Sequence, residues 1–270
     1  MSETTAFAGR GGDYLTSRHA VVTGGGRGIG AAIAVELAQL GAELTLMGRS
    51  LAPLEEQAAR LQEEFGVRAA AIPCDVADEE SVTTAFAAAR ERFGDPLVLV
   101  NNAGQAEGAP LLQTSKELWD RLIGVNLTGT FLCSRAVLEG MLRAGWGRII
   151  NVASVAGLEG RGRITAYTAS KHGVVGFTRS LAHEVVKKGV TVNALCPTYV
   201  ETEMTDRAVE RLSAALGKSA EEAKQMLIRP IPLGRLIYPE EVASLAAWLC
   251  SPAADAVTGT AIPIAGGQVS

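Results

Sequence analysis

His19-Ala20-Val21-Val22-Thr23-Gly24-Gly25-Gly26-Arg27-Gly28-Ile29-Gly30 is the stretch that decides how this chain is to be read. Its first five residues form a short apolar run of strand length. The glycines follow at once, and from Ile29 to Leu40 the apolar spacing is that of a helix. A glycine-rich turn between strand and helix lets the backbone come close to a ligand. The helix N-terminus adds free N–H groups and positive potential, which suits a pyrophosphate. The strict GxGxxG/A spacing is met only loosely, by Gly26, Gly28 and Ala31. The wider TGxxxGxG spacing is met by Thr23, Gly24, Gly28 and Gly30. Such a turn could be mere punctuation. Its place after the first strand of an alternating pattern favours binding.

That alternation continues along the chain. Strands are expected at 43–47, 68–73, 97–100, 148–152, 190–196 and 260–264. Helices are expected at 51–65, 79–93, 116–143, 166–187, from 203 to 226, and at 239–250. Strands separated by helix-length segments imply parallel pairing through right-handed crossovers. The nearly continuous apolar character of the later strands implies a sheet covered on both faces. The expectation is an α/β fold: one domain over residues 18–270, preceded by a flexible lead-in at 1–17.

Bulk properties narrow the function classes. The chain has 270 residues, 47% hydrophobic content and a formal net charge of −4. No basic run suggests nucleic acid, and no apolar stretch reaches the ~20 residues that span a bilayer. The polar N-terminus has no apolar core of a secretory signal. Cys74, Cys133, Cys196 and Cys250 form no CxxC pair. The three histidines (His19, His172, His183) are not spaced as ligands, so no metal is expected. Reduced, inert cysteines in a cytoplasmic protein are the expectation.

Tyr167 and Lys171 lie four residues apart, hence on one helix face. A neighbouring ammonium favours phenolate, so the pair is expected to be a tuned acid with a lowered tyrosine pKa. Alone, such a pair more often marks an ordinary half-exposed helix face.

With these motifs together, the chain resembles the short-chain dehydrogenase/reductase family from about Thr23 to Gly267. The resemblance is carried by Thr23 to Gly30, by Asn101-Asn102-Ala103-Gly104, by Asn126 within Val125-Asn126-Leu127-Thr128-Gly129, by Ser154, and by Tyr167 to Lys171. It implies a doubly wound Rossmann sheet of seven parallel strands, usually assembled as a homotetramer, with a homodimer as the other candidate. It implies hydride transfer between a nicotinamide and a ketone/secondary alcohol pair. Asn126, Ser154, Tyr167 and Lys171 would be catalytic. Tyr167 would move the proton, and Lys171 would hold the ribose and depress the tyrosine pKa. Ser154 would bind the substrate oxygen, and Asn126 would hold a water linking Lys171 to solvent. The cofactor would be held by Gly24, Arg27, Gly28, Ile29, Gly30, Asp75, Val76, Asn102, Ala103, Gly104, Tyr167, Lys171, Pro197, Val200 and Thr202. Asn102 has an alternative role, tying its strand to the neighbour.

Cofactor choice turns on the end of the second strand. Rossmann proteins that bind NAD place a carboxylate there for the ribose 2′-hydroxyl. Here the segment is Met47-Gly48-Arg49-Ser50. Arg49, with Arg27, suits a 2′-phosphate, so NADP(H) is favoured over NAD(H). The family's Pro-Gly after the sixth strand is Pro197-Thr198 in this chain, which puts the local backbone path in question. Residues 201–232 are expected to form a lid, with Met204, Val209, Leu212, Leu216, Met226 and Leu227 available either to a ligand or to packing. The stretches 171–178 and 196–204 resemble members acting on β-ketoacyl, polyketide or 3-hydroxy substrates. The other classes are an NAD-linked dehydrogenase of another secondary alcohol, a non-catalytic nucleotide-binding regulator, and an assembly partner of a second catalytic chain.

Overall fold

Strand-forming runs, each punctuated by turn residues, produce a single parallel sheet in the computed structural model, which describes residues 14–269. The strands are β1 (His19–Thr23), β2 (Glu43–Gly48), β3 (Ala69–Pro73), β4 (Val98–Asn101), β5 (Gly147–Val152), β6 (Val190–Pro197) and β7 (Ala261–Ile264). Their order is β3-β2-β1-β4-β5-β6-β7, and every pairing is parallel. The chain winds outward from β1 to β3, then returns to β4 on the other side of β1. That reversal opens a crevice at the carboxyl ends of β1 and β4, where ligands bind in open α/β sheets.

Helices α1 (Gly28–Gln39), α2 (Leu51–Phe65), α3 (Glu79–Phe93), α4 (Lys116–Ile123), α5 (Gly129–Ala144), α6 (Thr165–Val185), α7 (Glu203–Leu216), α8 (Ala220–Ile228) and α9 (Pro239–Leu249) surround the sheet. The period-2 alternation of each strand feeds two cores. Ala20, Val22, Leu44, Leu46, Val98 and Val100 join α1, α2 and α9 in one. Val21, Met47, Leu99 and Ile149 join α3, α5 and α6 in the other. Both faces are covered, which explains why β4 to β6 read as continuous apolar runs.

Three expectations change. The single helix expected at 116–143 is two, α4 and α5, joined by a π-helical turn over Gly124–Thr128. Gly129 allows the close approach there, since a Cβ on it would lie 2.8 Å from Val76 Cγ2. The helical stretch expected from 203 to 226 is also two helices, α7 and α8. Gly217, at φ +63°, ends α7, and a Ser219/Glu222 capping box starts α8. The lead-in is anchored before residue 18. Leu15 is fully buried, its N–H donates to Leu40 O at 3.1 Å, and Tyr14 Oη donates to Ala247 O at 2.9 Å. The rest of that segment, residues 1–13, lies outside the described residues.

Candidate active site

The glycine turn is shaped from behind by β4. Thr23 Oγ1 accepts the N–H groups of Asn102 and Ala103, each at 3.0 Å. Asn102 Nδ2 donates to Thr23 O at 3.0 Å and Gly24 O at 3.1 Å. Asn102 is therefore a staple between β1 and β4 as well as a cleft residue. Gly30 is required by this staple: a Cβ there would sit 2.5 Å from Asn102 Nδ2 and closer still to the Gly24 carbonyl. Gly24 and Gly28 take φ of +65° and +55°, the left-handed region where glycine is favoured.

In front of this turn lies a cavity of 490 Å³. Gly24, Arg27, Gly28, Ile29, Arg49, Asp75, Val76, Asn102, Ala103, Gly104 and Thr202 line it. Gly30, Pro197 and Val200, also expected to contact the cofactor, do not line this cavity. Gly30 is packed against Gly24 and Asn102, Pro197 closes buried β6, and Val200 is 4% exposed in the core. Tyr167 and Lys171 lie outside the cavity wall as well. The N-cap of α1 carries no side-chain hydrogen bond and its first turn no acidic residue, so its N–H groups suit an anion. These features fit a dinucleotide with its pyrophosphate on α1. Arg49 is exposed at the end of β2 and lines the cavity. Arg27, by contrast, donates through Nη1 to Glu203 Oε2 at 2.9 Å.

The catalytic candidates converge around α6. Ser154 follows β5, is 9% exposed, and accepts the Ala156 N–H at 3.1 Å. Lys171 is 5% exposed, and its Nζ donates to Val152 O at 2.8 Å and lies 5.8 Å from the Tyr167 ring centre. Asn126 occupies the π-helical turn. Its Oδ1 accepts Gln105 N–H at 2.9 Å, and its Nδ2 donates to Gln105 O and Ser170 Oγ, each at 3.0 Å. Ser170 Oγ in turn donates to Tyr167 O at 2.7 Å. A Cβ on Gly104 would meet Asn126 Oδ1 at 3.2 Å and Lys171 Nζ at 3.6 Å, so that glycine keeps both groups close to the cleft floor.

The electrostatics differ from the sequence expectation. Burial pushes the Tyr167 phenol up, with hydrogen bonding to Ser154 pulling the other way. Burial also pushes Lys171 down, to about 8. In the protein alone, desolvation outweighs the lowering expected from the lysine charge. Beneath the site, burial raises the Cys196 thiol to about 11. All four cysteines are free and buried. Among the described residues, no group of three or more His, Cys, Asp or Glu side chains is placed to hold a metal ion.

Several partners were not legible beforehand. Ser170 sits inside the Tyr-to-Lys run, and Thr23 inside the glycine motif, but neither spacing reveals its hydrogen bonds. Thr198, the departure from Pro-Gly, hydrogen-bonds Gln268, and its N–H donates to Ile264 O at 3.2 Å. In the segment expected as a lid, Val209 and Leu227 pack on Ala223 with Leu212 against them, so these three serve packing. Leu216 and Met226 are exposed, and Met204 is exposed and lines the cavity. Arg207 and Arg211 also line it. Lys187 and Lys188 precede β6, at the opposite end of the sheet.

The sheet order, the glycine turn at the switch point and the Ser/Tyr/Lys/Asn cluster define a doubly wound nucleotide-binding oxidoreductase. The short chain dehydrogenase family model matches residues 18–213, and the chain belongs to that family. It is thus an NAD(P)-linked oxidoreductase that interconverts a ketone and a secondary alcohol. The chain is 39% identical to 3-oxoacyl-acyl-carrier-protein reductase FabG of Pseudomonas aeruginosa, over 94% of this chain and 98% of that one. It is 37% identical to D-beta-hydroxybutyrate dehydrogenase of Cupriavidus necator, over 95% and 99% respectively. A solved variant of actinorhodin polyketide ketoreductase with NADPH superposes with a TM-score of 0.90 at 41% identity, covering 93% of this chain and 97% of that one.

Proposed function

We propose that this protein is an NADP(H)-dependent reductase of β-ketoacyl thioesters or related 3-oxo compounds, interconverting them with the 3-hydroxy form. The observation that carries the reading is the convergence of Ser154, Tyr167, Lys171 and Asn126 around α6, together with an arginine, and no carboxylate, at the end of β2. Its relatives include a 3-oxoacyl reductase and a polyketide ketoreductase.

A nicotinamide held in this cleft would supply the hydride in reduction and accept it in oxidation. Tyr167 Oη would give its proton to the carbonyl oxygen in reduction and take it back from the alcohol in oxidation. Ser154 Oγ accepts from Ala156 and lies in hydrogen-bonding reach of the Tyr167 phenol, so its O–H would turn to the substrate oxygen when one is bound and stabilise charge developing there. Lys171 spends one donor on Val152 O and keeps two, for the ribose and for stabilising the phenolate. The Asn126 amide donors are committed to Gln105 and Ser170. Its Oδ1 retains one lone pair near Lys171 Nζ, where the relay water would be held. Gly24, Gly28, Ile29 and the first turn of α1 would take the pyrophosphate. Asp75 and Val76 would flank the adenine, and Arg49 would take the 2′-phosphate. Asn102, Ala103, Gly104 and Thr202 would line the nicotinamide half.

Residues 18–270 act as one catalytic domain in this reading, with residues 201–232 as the lid. The assembly would be a homotetramer or homodimer, supported by exposed Phe131 and Leu142 on α5 and Trp248 on α9. A cytoplasmic enzyme accords with the lack of any helix, among the described residues, long and apolar enough to cross a membrane. A second reading, an NAD-linked dehydrogenase of another secondary alcohol, is favoured by the 37% identity to D-beta-hydroxybutyrate dehydrogenase.

The test is a fluorescence titration with NADPH and NADH, followed by turnover on acetoacetyl thioesters and a panel of other ketones and alcohols. Tighter NADPH binding with thioester reduction is expected. Preferred NADH binding, with turnover only on other ketones or alcohols, overturns both the cofactor and substrate assignments.

A further inference from the structure

Arg27 stands in the glycine turn at the N-cap of α1, facing the cavity. Its Nη1 donates to Oε2 of Glu203 at 2.9 Å, and the same oxygen takes Nη2 of Arg207 at 3.1 Å. Glu203 is the first residue of α7. The residue before it, Thr202, has its Cγ2 where a Cβ on Gly28 would be only 3.2 Å away. The first turn of the lid thus rests on the glycine turn, and one carboxylate holds an arginine from each. Arg27 and Glu203 are 57% and 58% exposed, so this is a solvent-screened pair that a better anion can displace. A phosphate dianion is such an anion, because guanidinium binds it through two parallel hydrogen bonds.

We propose that Glu203 determines cofactor specificity: its carboxylate competes with the cofactor's 2′-phosphate for Arg27 and so sets the selectivity between phosphorylated and unphosphorylated dinucleotide. The inference rests on the NADP(H) reading above. When Arg27 turns to the phosphate, Glu203 keeps its i,i+4 partner Arg207 on its own helix. The ionic tie between lid and glycine turn is then broken only by the phosphorylated cofactor. Arg49 acts independently of the exchange.

Affinities for NADP⁺ and NAD⁺ are measured by fluorescence titration at low and high salt for wild type, Glu203→Gln, Arg27→Ala, the double variant and Arg49→Ala. Glu203→Gln is isosteric and exposed, so the fold is preserved. The NADP⁺/NAD⁺ affinity ratio is expected to rise about 2–5-fold in Glu203→Gln, and less at high salt. In the Arg27→Ala background the same substitution should leave the ratio unchanged. An unchanged ratio in Glu203→Gln, or an equal gain without Arg27, overturns the inference. If wild type then still prefers NADP⁺ and Arg49→Ala loses that preference, the cofactor reading survives. Equal affinities for both cofactors in wild type, unmoved by Arg49→Ala, overturn both.

Discussion

Replacing Lys171 by Met should abolish turnover and yet stabilise the cofactor-free protein. Lys171 is 5% exposed, and burial lowers its pKa from 10.5 to about 8. At neutral pH the folded protein therefore holds an ammonium that its surroundings disfavour by about 3 kcal/mol relative to the unfolded chain. The substitution relieves that cost and fills similar volume. It forfeits the charged hydrogen bond to Val152 O, worth about 1.5–3 kcal/mol. A net gain of up to about 1.5 kcal/mol remains, raising Tm by up to roughly 4 °C for a chain of this size. The pH dependence gives a second check. Between about 8 and 10.5 the unfolded chain keeps the lysine proton while the folded protein releases it. Wild-type stability from this group therefore rises with pH across that window, and the advantage of the Met variant should close. Calorimetry and urea unfolding on cofactor-free protein from pH 7 to 10.5 would measure both. A Met variant less stable at pH 7, or a gap that does not narrow, would refute the burial argument. Such a result would be consistent with a lysine charge stabilised by its site.

Tyr167→Phe removes the proposed proton donor and leaves the lining of the dinucleotide cleft untouched. Turnover should fall ~10²-fold or more with cofactor affinity nearly unchanged, a split read by steady-state kinetics beside fluorescence titration; near-full activity would mean another acid. Gly30→Ala places a Cβ 2.5 Å from Asn102 Nδ2 and should cost about 1–3 kcal/mol in urea unfolding, whereas Gly176→Ala in α6, where nothing lies within 4 Å of the new Cβ, should not destabilise. His19 bonds Gly94 O through Nδ1 at 2.8 Å and Thr45 Oγ1 through Nε2 at 2.9 Å, and burial lowers its pKa from 6.5 to about 4 against the Gly94 carbonyl, which raises it. The stability this contributes is complete above about 6.5 and is lost as pH falls through about 4, a loss of about 3 kcal/mol. An Asn substitution at this site should remove that part of the acid sensitivity in unfolding measured from pH 7.5 to 4.

The order of strands and helices was legible because it is written in local periodicity. The expected helices at 51–65 and 79–93 have the bounds of α2 and α3, and the strands fall within a residue or so of their expected places. The chemistry was legible for a similar reason. One helical turn separates Tyr167 from Lys171, and the glycine turn must follow β1 directly. The break at Gly124–Thr128 was not legible, since no proline marks it and the residues at both its ends keep right-handed helical dihedrals.

Spacing alone could not decide what each polar group spends its hydrogen bonds on, or which charge burial would suppress. Asn102 is a staple because β4 lies beside β1, 78 residues away in the chain from Gly24. Arg27 is engaged by Glu203, 176 residues away. Tyr167 and Lys171 move opposite to the simplest expectation for a phenol beside an ammonium, because desolvation outweighs their mutual attraction at buried Lys171 and half-buried Tyr167. The sequence by itself determined the strand and helix order and the glycine turn, which follow from neighbours a few residues apart, and it offered the candidate side chains through the motifs they stand in. Only the tertiary structure decided their partners and protonation, because desolvation and cross-chain pairing depend on segments that meet only when the sheet closes.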